Sequence, residues 1–210
     1  MHNRRLLVQA NAAGIARASV LLRRGGVVGV PTDTVYGLAA HSMLAVGVEK
    51  LYIVKGRERL KAIPLLLART EDMELVASTV PEWAWRLAER FWPGPVTLVV
   101  PRAASVLDQV TGGSPSVAVR VPAHDVALTL IREVGAPLAV TSANLSGQQE
   151  TVAADEVARA LERRVPLILD AGPCPGGVPS TIVDVTGESP VILRRGAVVD
   201  RVELLLREGM

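Results

Sequence analysis

The chain has 210 residues, of which 49% are hydrophobic and 3% aromatic, and its formal net charge at pH 7 is +2. A chain of this length can bury one sizeable core, so we expect a single domain over residues 1–210 with no additional C-terminal domain. No apolar run is long enough to span a bilayer, and no strong basic field marks nucleic acid as the main partner. The lone cysteine, Cys174, excludes an internal disulfide and fits a reducing compartment, so we expect a cytoplasmic protein.

Short apolar runs alternate along the chain with segments of helical periodicity. The first helix is predicted over 9–24, where Gly25 and Gly26 supply a stop signal. Strands are predicted, in chain order, at 27–30, 64–68, 96–100, 116–121, 137–141, 166–170, 181–185 and 191–194. Further helices are predicted near 43–55, 71–78, 81–91, 124–134, 153–164 and 199–207. The alternation favours an α/β or α+β fold around one twisted sheet.

The commonest catalytic signatures are missing from the sequence. It contains no Gly-Lys pair, which excludes a P-loop, and no G-x-G-x-x-G follows a predicted strand. The pattern H-E-x-x-H does not occur, and neither does the G-x-S-x-G elbow of serine hydrolases. The chemistry must therefore come from another arrangement of polar residues.

Polar side chains cluster where the predicted strands end. PTDT follows the first strand, TSAN ends the run 137–141, and KGRERLK supplies basic residues after a predicted helix. Side chains of a strand repeat every second residue, so Ser116 and Arg120 share one face. Together these clusters predict a basic, hydroxyl-lined cavity for a polyanion and a small zwitterion. The candidate residues are Thr32, Lys55, Arg57, Lys61, Ser116, Arg120, Ser142, Asn144, Ser180 and Arg194.

Each of these residues also has an ordinary structural interpretation. A hydroxyl such as that of Thr32 or Ser142 commonly caps a helix, and the basic residues from Lys55 onward are typical of a solvated helix end. Arg120 could pair with Asp125 or another carboxylate. An arginine among valines is nevertheless costly to bury without an anionic partner, so Arg120 is the strongest single candidate.

Seven segments in a fixed order indicate a family. These are PTDTVYGL, then KGR with a lysine four residues after the arginine, FWPGPVTLVV, SVAVRVP, PLAVTSANLSG, PSTIVDV and ILRRG. The order resembles the YrdC-like family, whose best-known members are threonylcarbamoyl-AMP synthases, and the resemblance runs from about Ala10 to Arg195. It implies a twisted mixed sheet flanked by helices around a large basic cavity.

The resemblance also implies a reaction and roles for the candidate residues. L-threonine, bicarbonate and ATP would give threonylcarbamoyl-adenylate and pyrophosphate, for the threonylcarbamoyladenosine (t6A) modification of tRNA by a downstream transferase. Mg²⁺ would accompany the ATP. Lys55 and Arg57 would be catalytic, and threonine would be held by Thr32, Arg120 and Ser180. ATP would be held by Arg57, Lys61, Ser116, Ser142, Asn144 and Arg194.

Three departures from the family pattern modify this expectation. Glu58 follows Arg57 where relatives often have proline, and Leu66 stands where some relatives carry a histidine that contacts threonine. Threonine affinity is therefore expected to be lowered. Longer relatives also have a linker and a second domain that fold over the cavity, so we expect an open site here.

Two other functions are compatible with these residues. One is a paralogue of the same family with a different acceptor, of the YciO type or of the HypF carbamoyl-adenylate type; HypF modules lie inside much larger chains, which disfavours the second version. The other is a non-catalytic module that binds tRNA or double-stranded RNA in a basic concavity. The low aromatic content leaves few platforms on which bases could stack.

Overall fold

A ten-stranded mixed sheet runs through the centre of the molecule. The structure is a computed structural model, which describes residues 6–161 and 164–208. Its strands are β1 (Leu7–Gln9), β2 (Val28–Val30), β3 (Gly37–His41), β4 (Leu65–Leu66), β5 (Val96–Pro101), β6 (Ser116–Arg120), β7 (Leu138–Ser142), β8 (Ile168–Asp170), β9 (Thr181–Asp184) and β10 (Val191–Arg194). Their spatial order is β1-β8-β2-β3-β7-β4-β6-β5-β9-β10, with both parallel and antiparallel neighbours.

Helices flank the sheet on both sides. They are α1 (Ala12–Arg23), α2 (Ala45–Lys55), α3 (Glu82–Phe91), α4 (Asp108–Thr111), α5 (Asp125–Val134), α6 (Ala154–Ala160) and α7 (Val199–Glu208), and a 3₁₀ helix covers Thr70–Leu75. None of the helices within the described residues is both long enough and apolar enough to cross a membrane.

The eight predicted strands are confirmed, and the differences from prediction have local causes. Helix α1 begins at residue 12 rather than 9 because the side chain of Asn11 caps it, accepting a hydrogen bond of 3.0 Å from the backbone N–H of Gly14. The helix predicted near 71–78 is the 3₁₀ helix. Strands β1 and β3 and the single turn α4 were not predicted.

The two faces of the sheet carry different layers. Alternate residues of the central strands point to a large core packed by α2, α3 and α6, as Val117 and Val119 of β6 do. On the opposite face, α1 and α5 pack over β2, β7 and β8 through residues such as Leu22 and Leu130. On β5 and β6, side chains that point to this second face, such as Thr97, Val99 and Ala118, line an open cavity instead.

Gly56 controls how the chain leaves α2 toward that cavity. Its backbone is left-handed, with φ 64°, a conformation that glycine adopts without steric cost. The turn follows directly after Lys55, the last residue of the helix. Lys55 is therefore buried under the helix end while Arg57, two residues later, reaches the cavity.

Candidate active site

The cavity lies on the sheet face beside α1 and α5 and encloses about 420 Å³. Within the described residues, its walls come from seven strands and neighbouring loops, and they combine apolar side chains, hydroxyls, arginines and one carboxylate. The lining residues are Thr32, Thr34, Val35, Tyr36, Gly37, Arg57, Ala62, Pro64, Leu66, Thr97, Val99, Ala118, Arg120, Val140, Thr141, Ser142, Glu150, Pro179, Ser180, Ile182, Leu193 and Arg194. A cavity of this size fits small molecules with a few polar groups.

Arg120 is buried in the cavity wall and is already bonded to the protein. Its Nε donates to the carbonyl of Gly94 at 2.9 Å, Nη1 to the hydroxyl of Thr34 at 3.1 Å, and Nη2 to the carboxylate of Asp33 at 2.6 Å. Burial lowers the pKa of Arg120, and the nearby Asp33 carboxylate opposes that shift. The salt-bridge partner is thus Asp33, and not Asp125.

The segment from Thr32 to Val35 forms a tight turn under the cavity. The Thr32 hydroxyl donates to the Val35 carbonyl at 2.7 Å and accepts from the backbone N–H of Thr34 at 3.1 Å. The Thr32 side chain therefore has the local hydrogen-bonding role that its residue type commonly takes, while the residue also lines the cavity. The hydroxyl thus stabilises a turn and not the helix end first considered for it, and its contact with a ligand stays a prediction.

Ser180, Thr97 and Arg194 form a second polar group of the cavity, next to Arg120 through the pairing of β5 with β6. The Ser180 hydroxyl lies 2.8 Å from that of Thr97 and accepts from Nη2 of Arg194 at 3.0 Å. The Nε of Arg194 donates to the Ser180 carbonyl at 3.0 Å. Burial lowers the pKa of Arg194, as does Arg120, while Glu150 raises it. These contacts fix one edge of the guanidinium on strand β10.

Lys55 lies behind the wall and is not among the lining residues that the structure describes. Its ammonium has four protein oxygens around it: the carbonyls of Ser142 and Asn144 at 2.7 and 3.1 Å, the Ser142 hydroxyl at 3.0 Å and Oδ1 of Asn144 at 2.7 Å. Burial, reinforced by Arg57, lowers the pKa of Lys55 to about 8, and Glu150 opposes the shift. The solvated helix end considered for Lys55 is therefore wrong.

Ser142 and Asn144, at the end of β7, differ in orientation. Ser142 lines the cavity, whereas Asn144 is buried beside Lys55 and its amide donates to the carbonyls of Leu145 and Gln148 at 3.1 and 2.6 Å. The TSAN segment thus provides two hydroxyl residues of the described lining, Thr141 and Ser142, and one side chain, Asn144, that shapes the loop after the strand.

Of the remaining candidates, Arg57 lines the cavity, whereas Lys61 and Ser116 do not. Arg57 lines the cavity, held by the carbonyls of Lys61 and Ala62 at 3.1 and 2.8 Å. Lys61 pairs with Glu58 at 2.9 Å, and its side chain is 52% exposed. Ser116 shares the cavity-facing side of β6, but its hydroxyl pairs with that of Ser114 at 3.0 Å. The structure brings neither Lys61 nor Ser116 into the lining.

Sequence reasoning missed three contributors to the site. Thr97 lies in the predicted strand 96–100, and its alternation with Leu98 could have placed it on the polar face. Asp33 was considered only as part of the PTDT segment, and it was not predicted to form a salt bridge with Arg120. Glu150, the carboxylate among the described lining residues, lies in an irregular loop without any periodic signal.

The described residues were also compared with the requirements of a metal site. They include no group of three His, Cys, Asp or Glu side chains able to hold a metal ion. Glu150 alone does not make a resident Mg²⁺ site, since Mg²⁺ demands octahedral oxygen ligation. A metal used here would have to bring ligands of its own.

Comparison with known proteins agrees with this geometry. The family model Sua5/YciO/YrdC, described as telomere recombination, matches residues 20–196. This chain belongs to the Sua5/YciO/YrdC family. The resemblance noted from the motifs, and the fold that it implied, are thereby confirmed.

Individual family members are similar over most of the chain. The threonylcarbamoyl-AMP synthase of Pyrococcus abyssi is 40% identical over 192 residues, which are 91% of this chain and 56% of that relative. The structure of P. abyssi Sua5 complexed with L-threonine matches with a TM-score of 0.91 and 38% identity, covering 95% of this chain and 59% of that one. Escherichia coli YciO matches with a TM-score of 0.78 and 27% identity, covering 87% and 88%. The chain thus spans little more than half the length of the first curated relatives it matches.

Proposed function

We propose that this protein is an L-threonylcarbamoyladenylate synthase, which makes threonylcarbamoyl-AMP and pyrophosphate from L-threonine, bicarbonate and ATP for t6A modification of tRNA. The observation that carries the proposal is the convergence of Arg57, Arg120 and Arg194 with several hydroxyls on one small cavity. The P. abyssi relative with the same fold binds L-threonine, and it is more similar to this chain than YciO is.

The cavity suits the charge changes of this reaction. The threonine amine combines with bicarbonate and loses water to give a carbamate, and a carbamate oxygen then attacks the α-phosphorus of ATP. The bond from that phosphorus to the bridging oxygen breaks, and pyrophosphate leaves with the electron pair. Negative charge grows on the phosphoryl oxygens and on pyrophosphate, so fixed N–H donors lower the barrier. Arg57 and Arg194 are the proposed donors.

Threonine would bind beside Arg120. Arg120 would hold its carboxylate through terminal N–H groups, and Ser180 would supply a hydroxyl. Thr32, whose hydroxyl is already bonded within its own turn, would shape the subsite rather than donate to threonine. Ser142 would contact the nucleotide, because its hydroxyl accepts from Lys55 and keeps its own proton to donate. Lys55 and Asn144 would position Ser142 rather than touch substrate, which revises the catalytic role first expected of Lys55.

The nucleotide is proposed to enter as its magnesium complex, with phosphate oxygens as the metal ligands. The product would pass to the tRNA threonylcarbamoyl transferase machinery in the cytoplasm. A cavity of about 420 Å³ favours these small substrates over the RNA backbone considered as an alternative.

A YciO-type paralogue remains the second candidate, because Leu66 lines the cavity at the position where some relatives carry a histidine that contacts threonine.

The decisive experiment is pyrophosphate release from ATP, measured with L-threonine, L-serine or no amino acid, each with and without bicarbonate. Release that requires both threonine and bicarbonate is expected. ATP binding without any effect of threonine would contradict the proposed function and favour a different acceptor.

A further inference from the structure

Arg57, Arg120 and Arg194 of the cavity differ in whether a carboxylate neutralises their charge. Arg120 forms a buried ion pair with Asp33. Arg57 and Arg194 donate to neutral oxygens, and among the described residues neither lies within ion-pair distance of a carboxylate. Among the described lining residues, the cavity therefore combines a paired cation, Arg120, with two cations that keep their charge, Arg57 and Arg194.

Arg120 still has donors to offer after its internal bonds are made. Each terminal nitrogen of a guanidinium carries a pair of N–H groups. Thr34 takes one from Nη1 and Asp33 takes one from Nη2, so one on each nitrogen is left within the part of the chain that the structure describes. A pair of adjacent N–H groups matches the two oxygens of a carboxylate.

Asp33 is rigidly held as the partner of this arginine. Its Oδ1 accepts from Arg120 at 2.6 Å and from the backbone N–H of Ala123 at 3.0 Å, and its side chain is 11% exposed. The carboxylate cannot swing away when a ligand arrives without leaving both donors unpaired.

We propose that Asp33 is a specificity-determining residue that keeps phosphate groups out of the threonine subsite. By neutralising Arg120 it leaves a subsite with N–H donors but no net charge, which accepts the carboxylate of a zwitterion. A phosphate of higher charge is repelled by the fixed carboxylate, so the polyanion binds at Arg57 and Arg194. The inference rests on the proposed function, because it assigns the two substrates to two parts of one cavity.

The test uses inorganic phosphate as the probe, at constant ionic strength. In the wild-type protein, phosphate is expected to compete with ATP and to change the KM for threonine by less than about twofold. In Asp33→Asn, Arg120 is a bare cation, and phosphate is expected to compete with threonine and to raise its KM by about tenfold, the effect of one lost charge repulsion. Asp33→Glu should keep the wild-type pattern because it keeps the charge.

Calorimetric titration with phosphate gives a readout that does not depend on turnover. Asp33→Asn should gain a second phosphate site, besides the one at Arg57 and Arg194 that the wild type has, and Asp33→Asn/Arg120→Gln should lose that second site again. Asp155→Asn, which breaks an exposed ion pair with Arg159 on α6, is the matched control and should gain none.

The outcomes separate this inference from the proposed function. A wild-type protein in which phosphate competes with threonine overturns the inference without needing any variant. A folded Asp33→Asn protein that gains no phosphate site also overturns it, even if threonine turnover is normal. A wild-type protein without threonine-dependent turnover overturns the proposed function, while the titrations still decide the role of Asp33.

Discussion

Lys55 and Arg120 are both buried cations, yet the oxygens around them differ. Arg120 has a carboxylate partner, whereas Lys55 is surrounded by carbonyl, hydroxyl and amide oxygens without a full charge. Burial therefore lowers the pKa of Lys55 to about 8. A depressed pKa means that the folded protein holds this proton less strongly than the unfolded chain does.

This difference predicts a pH-dependent contribution of Lys55 to stability. Between pH 8 and the ordinary lysine pKa of 10.5, the unfolded chain binds more protons, so the free energy of unfolding should rise with pH. The rise is at most about 1.4 kcal/mol per pH unit. Denaturant unfolding of wild type and Lys55→Met at several pH values checks this: the wild-type curve should climb relative to the variant over that interval. A parallel curve would show that Lys55 keeps its ordinary pKa, and a falling curve that its pKa is raised; either result would contradict the prediction.

Arg120 predicts a selective effect on threonine. Arg120→Lys retains a positive charge for Asp33 but lacks the paired N–H groups, so it should weaken the carboxylate contact by about 2 kcal/mol, or roughly 30-fold in the KM for threonine. The KM for ATP should change by less than about twofold, because ATP is assigned to other arginines. Steady-state kinetics with each substrate varied in turn gives both values. Equal losses for the two substrates would contradict the assigned subsite.

The individual roles could be predicted only where they follow local rules. The alternation of side chains along β6 placed Arg120 on the correct face, and strand ends correctly located Ser142 and Ser180. The Asp33 partner lies 87 residues from Arg120 in sequence, and no local pattern reports such a contact. Lys61 pairs with Glu58 outside the described lining, so the common phosphate site suggested by its basic neighbours stays a prediction for this residue.

Among the elements, strand β3 is both central and easily overlooked. It pairs with β2 and β7. Its sequence is GLAAH, in which three of the five residues are glycine or alanine and none has the β-branched side chain that is common in the other strands. The cavity and the core approach β3 from opposite faces, and at Gly37 there is no room for a Cβ beside Val140. Strand propensity alone could not identify β3, because its residues are not the β-branched and aromatic ones that propensity favours.

Gly37, the first residue of β3, provides a test of that close packing. A Cβ added there would lie 2.5 Å from Cγ1 of Val140 on β7, so Gly37→Ala should destabilise the protein by about 1–3 kcal/mol. The midpoint of urea unfolding measures the loss. Combining it with Val140→Ala should cost less than the sum of the two single changes, since the second removes the clashing methyl groups. If the two stability losses simply added, the Cβ of residue 37 would not be clashing with Val140.

At the scale of the whole molecule, the cavity joins residues from Thr32 to Arg194 on seven strands. Ligands that contact all of these strands bind the native state and not the unfolded chain. Threonine and magnesium-ATP at about 100 times their dissociation constants should each stabilise the protein by about 2.7 kcal/mol. For a protein of this size that raises Tm by roughly 5–11 °C.

Thermal unfolding with each ligand alone and with both together checks this prediction. Arg194→Gln should lose most of the shift with ATP and keep the shift with threonine. An unchanged response to ATP in that variant would remove Arg194 from the nucleotide subsite.

The order of strands in the sheet also has a kinetic consequence. Strand β9 pairs with β5, and β8 lies between β1 and β2, so neighbours in the sheet are separated by long stretches of chain. Topologies with such high contact order fold slowly, because distant segments must meet before pairing is rewarded. During synthesis on the ribosome, the nascent chain would lack Arg194 and a complete wall until nearly two hundred residues had emerged. The cavity to which nucleotide binding is assigned would therefore be completed only near the end of synthesis.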